Sequence, residues 1–165
     1  MKASSLYLVG FMGAGKSTVA RAVGRRLGWR AEDIDDLIEA RERRSIAAIF
    51  AQSGEAHFRQ VERAVVAELA GTRNVVIATG GGTFVDPDNR ATMLASGAVA
   101  WLDIPLSKVI ERVPQDGRRP LAADRAQLEQ LYARRLAAYQ LAHVRIDASR
   151  PLEEVVERLL EWIGF

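Results

Sequence analysis

Apolar positions along this chain follow two alternating rhythms: short unbroken runs, and longer segments in which they recur every third or fourth residue. Residues 6–9 form the first run, and Val19, Val23 and Leu27 then repeat at helical spacing until Gly28. The pattern predicts a second strand over 29–34, ending in Asp33-Ile34-Asp35-Asp36, and a helix from 37 to about 44. Ser45 reads as the N-cap of a short helix over 46–52 that Gly54 closes. A long helix follows over 55–70. Phe58, Val61, Val65 and Leu69 form its buried stripe and leave Arg59, Glu62 and Arg63 on one flank.

A third strand over 74–78 runs into Thr79-Gly80-Gly81-Gly82. Asp86 caps a helix with Pro87 at its first position, and Gly97 ends it. A fourth strand covers 98–103, and Pro105 opens a helix carrying Leu106, Val109, Ile110 and Val113. The pattern lapses over 114–123, which is polar and punctuated. Asp124 starts a helix through Leu128, Leu131, Leu136 and Tyr139, and a fifth strand follows over 143–147. A terminal helix over 151–163 turns Leu152, Val155, Val156, Leu159 and Ile163 inward. Five apolar strands alternating with helices predict an α/β fold whose parallel sheet is covered on both faces. Ligands of such sheets sit beyond the carboxyl ends of the strands, which singles out the loops 10–17, 33–36 and 79–82.

The length of 165 residues suits a single domain over 1–165, and 48% hydrophobic with 27% charged residues suits a soluble protein. The net charge is only +2, and arginines alternate with acidic residues along the predicted helices. No face forms a basic stripe, so nucleic acid is not the expected partner. The absence of cysteine excludes disulfides and thiolate metal sites and is compatible with the cytoplasm. Lys2 followed by the apolar run 6–12 has the outline of a signal peptide, but the run is too short. No stretch approaches the length needed to span a membrane.

The chemistry starts at Gly10. Gly10, Gly15, Lys16 and Ser17 satisfy G-x-x-x-x-G-K-[ST], with a strand before and a helix after. Gly13, Ala14 and Gly15 let successive N–H groups converge into an anion nest, and the helix through Lys16, Ser17 and Thr18 adds its positive end. Lys16 reaches the terminal phosphates and Ser17 ligates Mg²⁺. The chain is expected to bind a nucleoside triphosphate.

Asp33 and Asp35 flank Ile34. In an extended segment both carboxylates face the crevice, one serving Mg²⁺ and the other taking a proton; the plainer reading is that they cap the next helix. Arg59 and Glu62, spaced i, i+3, make either a surface ion pair or a fork for a substrate carboxylate held by Glu62. Gly80, Gly81 and Gly82 allow close backbone approach to a ligand. Arg118, Arg119 and Arg125, around 114–125, suit either a lid over the phosphates or a solvated loop. No guanine-reading N-K-x-D segment is present and no acidic residue ends the third strand, which disfavours a signalling GTPase or a motor.

In order, Gly-Phe-Met-Gly-Ala-Gly-Lys-Ser-Thr at 10–18, Asp-x-Asp at 33–35, Phe58-Arg59-x-x-Glu62, the glycine run, Arg119-Pro120-Leu121 and Arg135-x-x-x-Tyr139 resemble the shikimate kinase family over nearly the whole chain. The resemblance implies a three-layer sandwich of the nucleoside-monophosphate-kinase-like phosphate-loop type, with a substrate-binding region at about 33–62 and a lid at about 114–125. It implies transfer of the γ-phosphoryl of ATP to the 3-hydroxyl of shikimate, with Mg²⁺, by a cytoplasmic monomer. By position it assigns Asp35 to the ring hydroxyls and the acceptor proton, Arg59 and Arg135 to the carboxylate, and Gly80–Gly82, chiefly Gly81, to substrate contact. Arg119 goes to the phosphates, Arg112 to the adenine, Arg150 to the adenine side, and Ser17 and Asp33 to the metal. Ala122 and Ala138 depart from the family's Leu and Pro, changes of packing more than of charge. A gluconate or nucleoside monophosphate kinase, or a nucleotide-binding regulatory module, are the alternative readings.

Overall fold

The sheet consists of β1 (Ser5–Val9), β2 (Arg30–Asp33), β3 (Val75–Ala78), β4 (Ala98–Asp103) and β5 (Val144–Asp147). All are parallel, in the order β2-β3-β1-β4-β5. The computed structural model describes residues 3–112 and 125–165, the side chain of Arg112 excepted. The helices are α1 (Lys16–Leu27), α2 (Ile34–Glu42), α3 (Ile46–Leu69), α4 (Pro87–Ser96), α5 (Leu106–Arg112), α6 (Arg125–Tyr139) and α7 (Leu152–Ile163), with a 3-10 turn at Thr83–Val85.

Sheet position explains composition. The three central strands β1, β3 and β4 are buried almost throughout. Ser5 and Tyr7 of β1 both bond Ser96 at the end of α4, so the alternating Leu6 and Leu8 face the opposite layer, where α1 packs on the sheet and against α7. Both faces are therefore covered, as a parallel sheet requires. The outer strands β2 and β5 mix polar with apolar residues and are about half exposed, in contrast to the five apolar strands expected. An edge strand has one flank open to water, so Arg30, Glu32 and Arg145 cost little there.

Helix boundaries follow their local chemistry. Ser45 caps α3 by accepting from the Ala48 N–H, and Asp86 caps α4 through Asp88 and Asn89. Gly54, at φ 83° and ψ 168°, breaks α3 into the two helices that the sequence predicts. One boundary moves: α2 starts at Ile34, three residues earlier than expected, because Asp33 is its N-cap. Among the described residues no helix is long and apolar enough to cross a membrane.

Candidate active site

β1 delivers the chain into the phosphate loop at the carboxyl edge of the sheet. Gly13 and Gly15 take left-handed backbone conformations (φ 80° and 83°), and Gly15 stands as the N-cap of α1. The Lys16 side chain is buried and folds over the loop, its Nζ donating to the carbonyls of Gly10 at 2.6 Å and Phe11 at 3.0 Å. Its charge is thereby fixed over the loop, at the positive end of α1. Ala14, Gly15 and Thr18 share a cleft of about 250 Å³ with Leu152 and Arg150. Arg150 is exposed there and pairs with Glu154 at 3.4 Å.

The two aspartates separate. With α2 starting at Ile34, Asp33 is the last residue of the strand and Asp35 lies in the first helical turn, so they do not project together from an extended segment. Asp33 Oδ2 accepts the Ser17 hydroxyl and Oδ1 accepts the Asp36 N–H at 3.2 Å, so the residue caps a helix and faces the phosphate loop at once. Ser17 and Asp33 thus present neighbouring hard oxygen donors, the chemistry Mg²⁺ prefers. Among the described residues no three His, Cys, Asp or Glu side chains gather into a metal-binding group.

Asp35 turns toward the glycine run and is only 3% exposed. A Cβ on Gly80 would stand 2.9 Å from its Oδ1, one on Gly81 2.5 Å from Arg135 Nη1, and one on Gly82 2.7 and 2.8 Å from the two Nη atoms of Arg59. Each glycine therefore leaves the space that one polar side chain of the site occupies. Room accounts for this triplet better than turn geometry.

Arg59 and Glu62 do not form a surface ion pair. Glu62 is fully buried, receiving Arg59 Nη1 at 3.0 and 3.3 Å and the Thr83 hydroxyl at 2.9 Å. Burial lifts its carboxyl above the ordinary glutamate range; the Arg59 charge and the Thr83 and Arg59 hydrogen bonds act downward, and the Asp35 charge acts upward. Arg135 is buried on α6, with its guanidinium over the Phe11 ring at 5.7 Å, and Tyr139 one turn later donates to the Gly81 carbonyl. Phe11 belongs to the phosphate loop, so Arg135 joins the two halves of the site.

Arg118, Arg119 and the segment 113–124 lie outside the described residues, as does the side chain of Arg112, which ends α5. Arg125 begins α6 and pairs with Glu129 at 3.4 Å. Sequence reasoning missed Thr83, Phe11 and Asn89. Thr83 follows three glycines and reads as turn, Phe11 occupies an unspecified position of the loop motif, and only the fold shows Asn89 Nδ2 holding the Thr83 carbonyl at 3.1 Å.

A phosphate loop after the central strand of a parallel sheet, facing a buried aspartate and two arginines, defines a phosphoryl-transfer enzyme that takes a small anionic acceptor. Comparison with known proteins narrows the class. The shikimate kinase family model matches residues 12–164. The chain is 42% identical to a shikimate kinase of Persephonella marina over 144 residues, 87% of this chain and 88% of that one. The structure superposes on that of shikimate kinase from Acinetobacter baumannii in complex with shikimate with a TM-score of 0.93 at 33% identity, covering 97% and 92% of the two chains. A deoxyadenosine kinase from M. mycoides, TM-score 0.67 at 16% identity over 97% and 98% of the chains, shares the fold alone. The chain belongs to the shikimate kinase family.

Proposed function

We propose that the crevice carries out its family's reaction, transfer of the γ-phosphoryl group of ATP to the 3-hydroxyl of shikimate, with the work divided between two walls. The loop wall, Gly13 to Thr18, holds the triphosphate through backbone N–H groups, and Lys16 supplies positive charge to the oxygens of the moving group. Arg112 and Arg150 serve the adenine side, and Arg119, in a lid at about 114–125, covers the phosphates. Ser17 and Asp33 hold Mg²⁺, which neutralises phosphate charge when bound.

The opposite wall holds the acceptor. Arg59 and Arg135 grip the carboxylate of shikimate, and the Gly80–Gly82 backbone lies against the ring. Asp35 binds a ring hydroxyl and takes its proton as the oxygen attacks. Phosphoryl transfer depends chiefly on alignment and charge neutralisation, so placement of that hydroxyl matters more than the strength of the base. The observation carrying this reading is the glycine triplet, each member leaving room for one of Asp35, Arg135 and Arg59. Three converging groups suit a compact ligand bearing both hydroxyls and an anion. The active unit in this proposal is a cytoplasmic monomer.

A coupled assay with ATP and Mg²⁺ against shikimate, gluconate and AMP tests the proposal. Turnover with shikimate alone is expected. Turnover with AMP or gluconate in its place overturns it.

A further inference from the structure

The fold commits an uncommon amount of order to a single hydroxyl. Thr83 is fully buried, and each of its polar groups has an assigned place. Its N–H donates to the Gly80 carbonyl at 3.2 Å, its carbonyl accepts Asn89 Nδ2 at 3.1 Å, and its hydroxyl donates to Glu62 Oε2 at 2.9 Å. Asn89 is itself buried, and its N–H is fixed by the Asp86 cap of α4. The hydroxyl therefore points at Glu62 from a position set by two neighbouring elements. It has no solvent to turn toward.

We propose that Thr83 is a positioning residue for acceptor binding: its hydroxyl holds the Glu62 carboxylate in line with Arg59, and Arg59 in turn is held ready for the carboxylate of the acceptor. This rests on the reading above that Arg59 grips that group. The geometry is a relay running from Asn89 through Thr83 and Glu62 to Arg59. Arg59 bonds both oxygens of Glu62, and Thr83 bonds one of them as well. Without the hydroxyl, a fully buried oxygen loses a donor, and among the described residues the hydrogen bonds left on the carboxylate are those from Arg59.

Charge makes the relay measurable. Glu62 is faced by Arg59 on its own helix, by Thr83 of the 3-10 turn, and by the charge of Asp35 in the first turn of α2. Burial and Asp35 favour its protonated form, whereas Arg59 and Thr83 favour the carboxylate. Removing the hydroxyl tips this balance toward the proton. A protonated Glu62 no longer neutralises or aims Arg59, so acceptor binding weakens further as pH falls.

Thr83→Val, close in volume, and Thr83→Ser, which retains the hydroxyl, test the proposal in steady-state assays of the full chain from pH 6 to pH 9. The valine variant is expected to raise the KM for shikimate about tenfold at neutral pH. That rise should grow as pH falls, while kcat and the KM for ATP stay near wild type. Serine should restore the wild-type values. In a Glu62→Gln background, which cannot titrate, Thr83→Val should lose its pH dependence. Should the valine variant fail to fold, Thr83→Ala serves with the same expectations. A folded variant lacking the hydroxyl with wild-type shikimate KM at every pH overturns the relay, as does an equal rise in both substrates' KM. If Arg59→Lys leaves the shikimate KM unchanged, the carboxylate reading fails instead, whatever Thr83 does.

Discussion

The Arg135 guanidinium occupies the space that a side chain on Gly81 would need: a Cβ built there falls 2.5 Å from Nη1 and 3.8 Å from the Tyr139 hydroxyl. Arg135 is also confined on its other side by the Phe11 ring. Gly81→Ala therefore moves a guanidinium that has little room to yield. A displacement of about 1 Å at a binding group can cost on the order of 10²-fold. We expect a rise of tenfold or more, to about that order, in the KM for shikimate. The KM for ATP should change little, because the loop wall is untouched. Varying each substrate in turn reads the difference, and a selective effect on ATP would contradict it.

Asp35 belongs to the same arrangement, buried beside Gly80. Asp35→Asn preserves its size and removes its capacity to take a proton. Loss of a positioned acid–base group lowers turnover by about 10²–10⁴-fold, and that range is expected for kcat. Nucleotide binding should survive, since no loop residue changes. Titration calorimetry with an ATP analogue beside the kinetic assay separates the two quantities, and near-normal kcat would remove Asp35 from its assigned role.

The extent to which these features were readable from the letters varies with how local their causes are. The phosphate loop was fully legible because its spacing encodes a backbone shape that needs no distant partner. The caps at Ser45 and Asp86 and the break at Gly54 are local in the same way and lie where the pattern predicts them. Asp33 was ambiguous: Asp-Ile-Asp fits the alternation of a strand, yet the side chain bonds the Asp36 N–H and starts the helix early. Helical periodicity sets Glu62 on a flank, beside the apolar stripe of Phe58, Val61, Val65 and Leu69. Its burial depends on Thr83, 21 residues away, and on Asp35 and Arg59 around it. The glycine run reads as a place for close backbone approach to a ligand, but it also leaves space for side chains from α2, α3 and α6, and sequence spacing alone cannot show that.

Glu62 gives the clearest dependence on pH. Burial is the largest influence and lifts its carboxyl above the value it has in the unfolded chain. The folded state therefore keeps a proton through a range where the unfolded state has lost it. This contribution to stability is complete below the unfolded pKa of about 4.3 and is lost as pH rises through the folded value. Glu62→Gln is neutral throughout and lacks that slope. Thermal melts from pH 4 to pH 8 should show the glutamine variant gaining on the wild type as pH rises. It should do so with a KM for shikimate raised about tenfold, because Arg59 loses its buried countercharge. A constant difference would show that Glu62 titrates as it does in the unfolded chain, and one that moves the other way would show that Arg59 and Thr83 outweigh burial.

Asp33 serves two purposes that substitution can pull apart. Its Oδ1 caps α2 and its Oδ2 accepts the Ser17 hydroxyl. Serine is as good an N-cap as aspartate, whereas alanine forfeits about 1 kcal/mol. Asp33→Ser should therefore melt near the wild-type temperature and Asp33→Ala below it. Neither retains a carboxylate beside Ser17, so both should need more Mg²⁺. An outer ligand of this kind is worth about 10–100-fold in metal affinity, and the half-saturating Mg²⁺ concentration should rise within that range in both variants. If only the alanine variant needs more Mg²⁺, the demand follows the lost cap, and Asp33 has no part in holding the ion. If both shift equally while only one loses stability, the carboxylate acts on the metal through Ser17 and its neighbours, independently of the helix it starts.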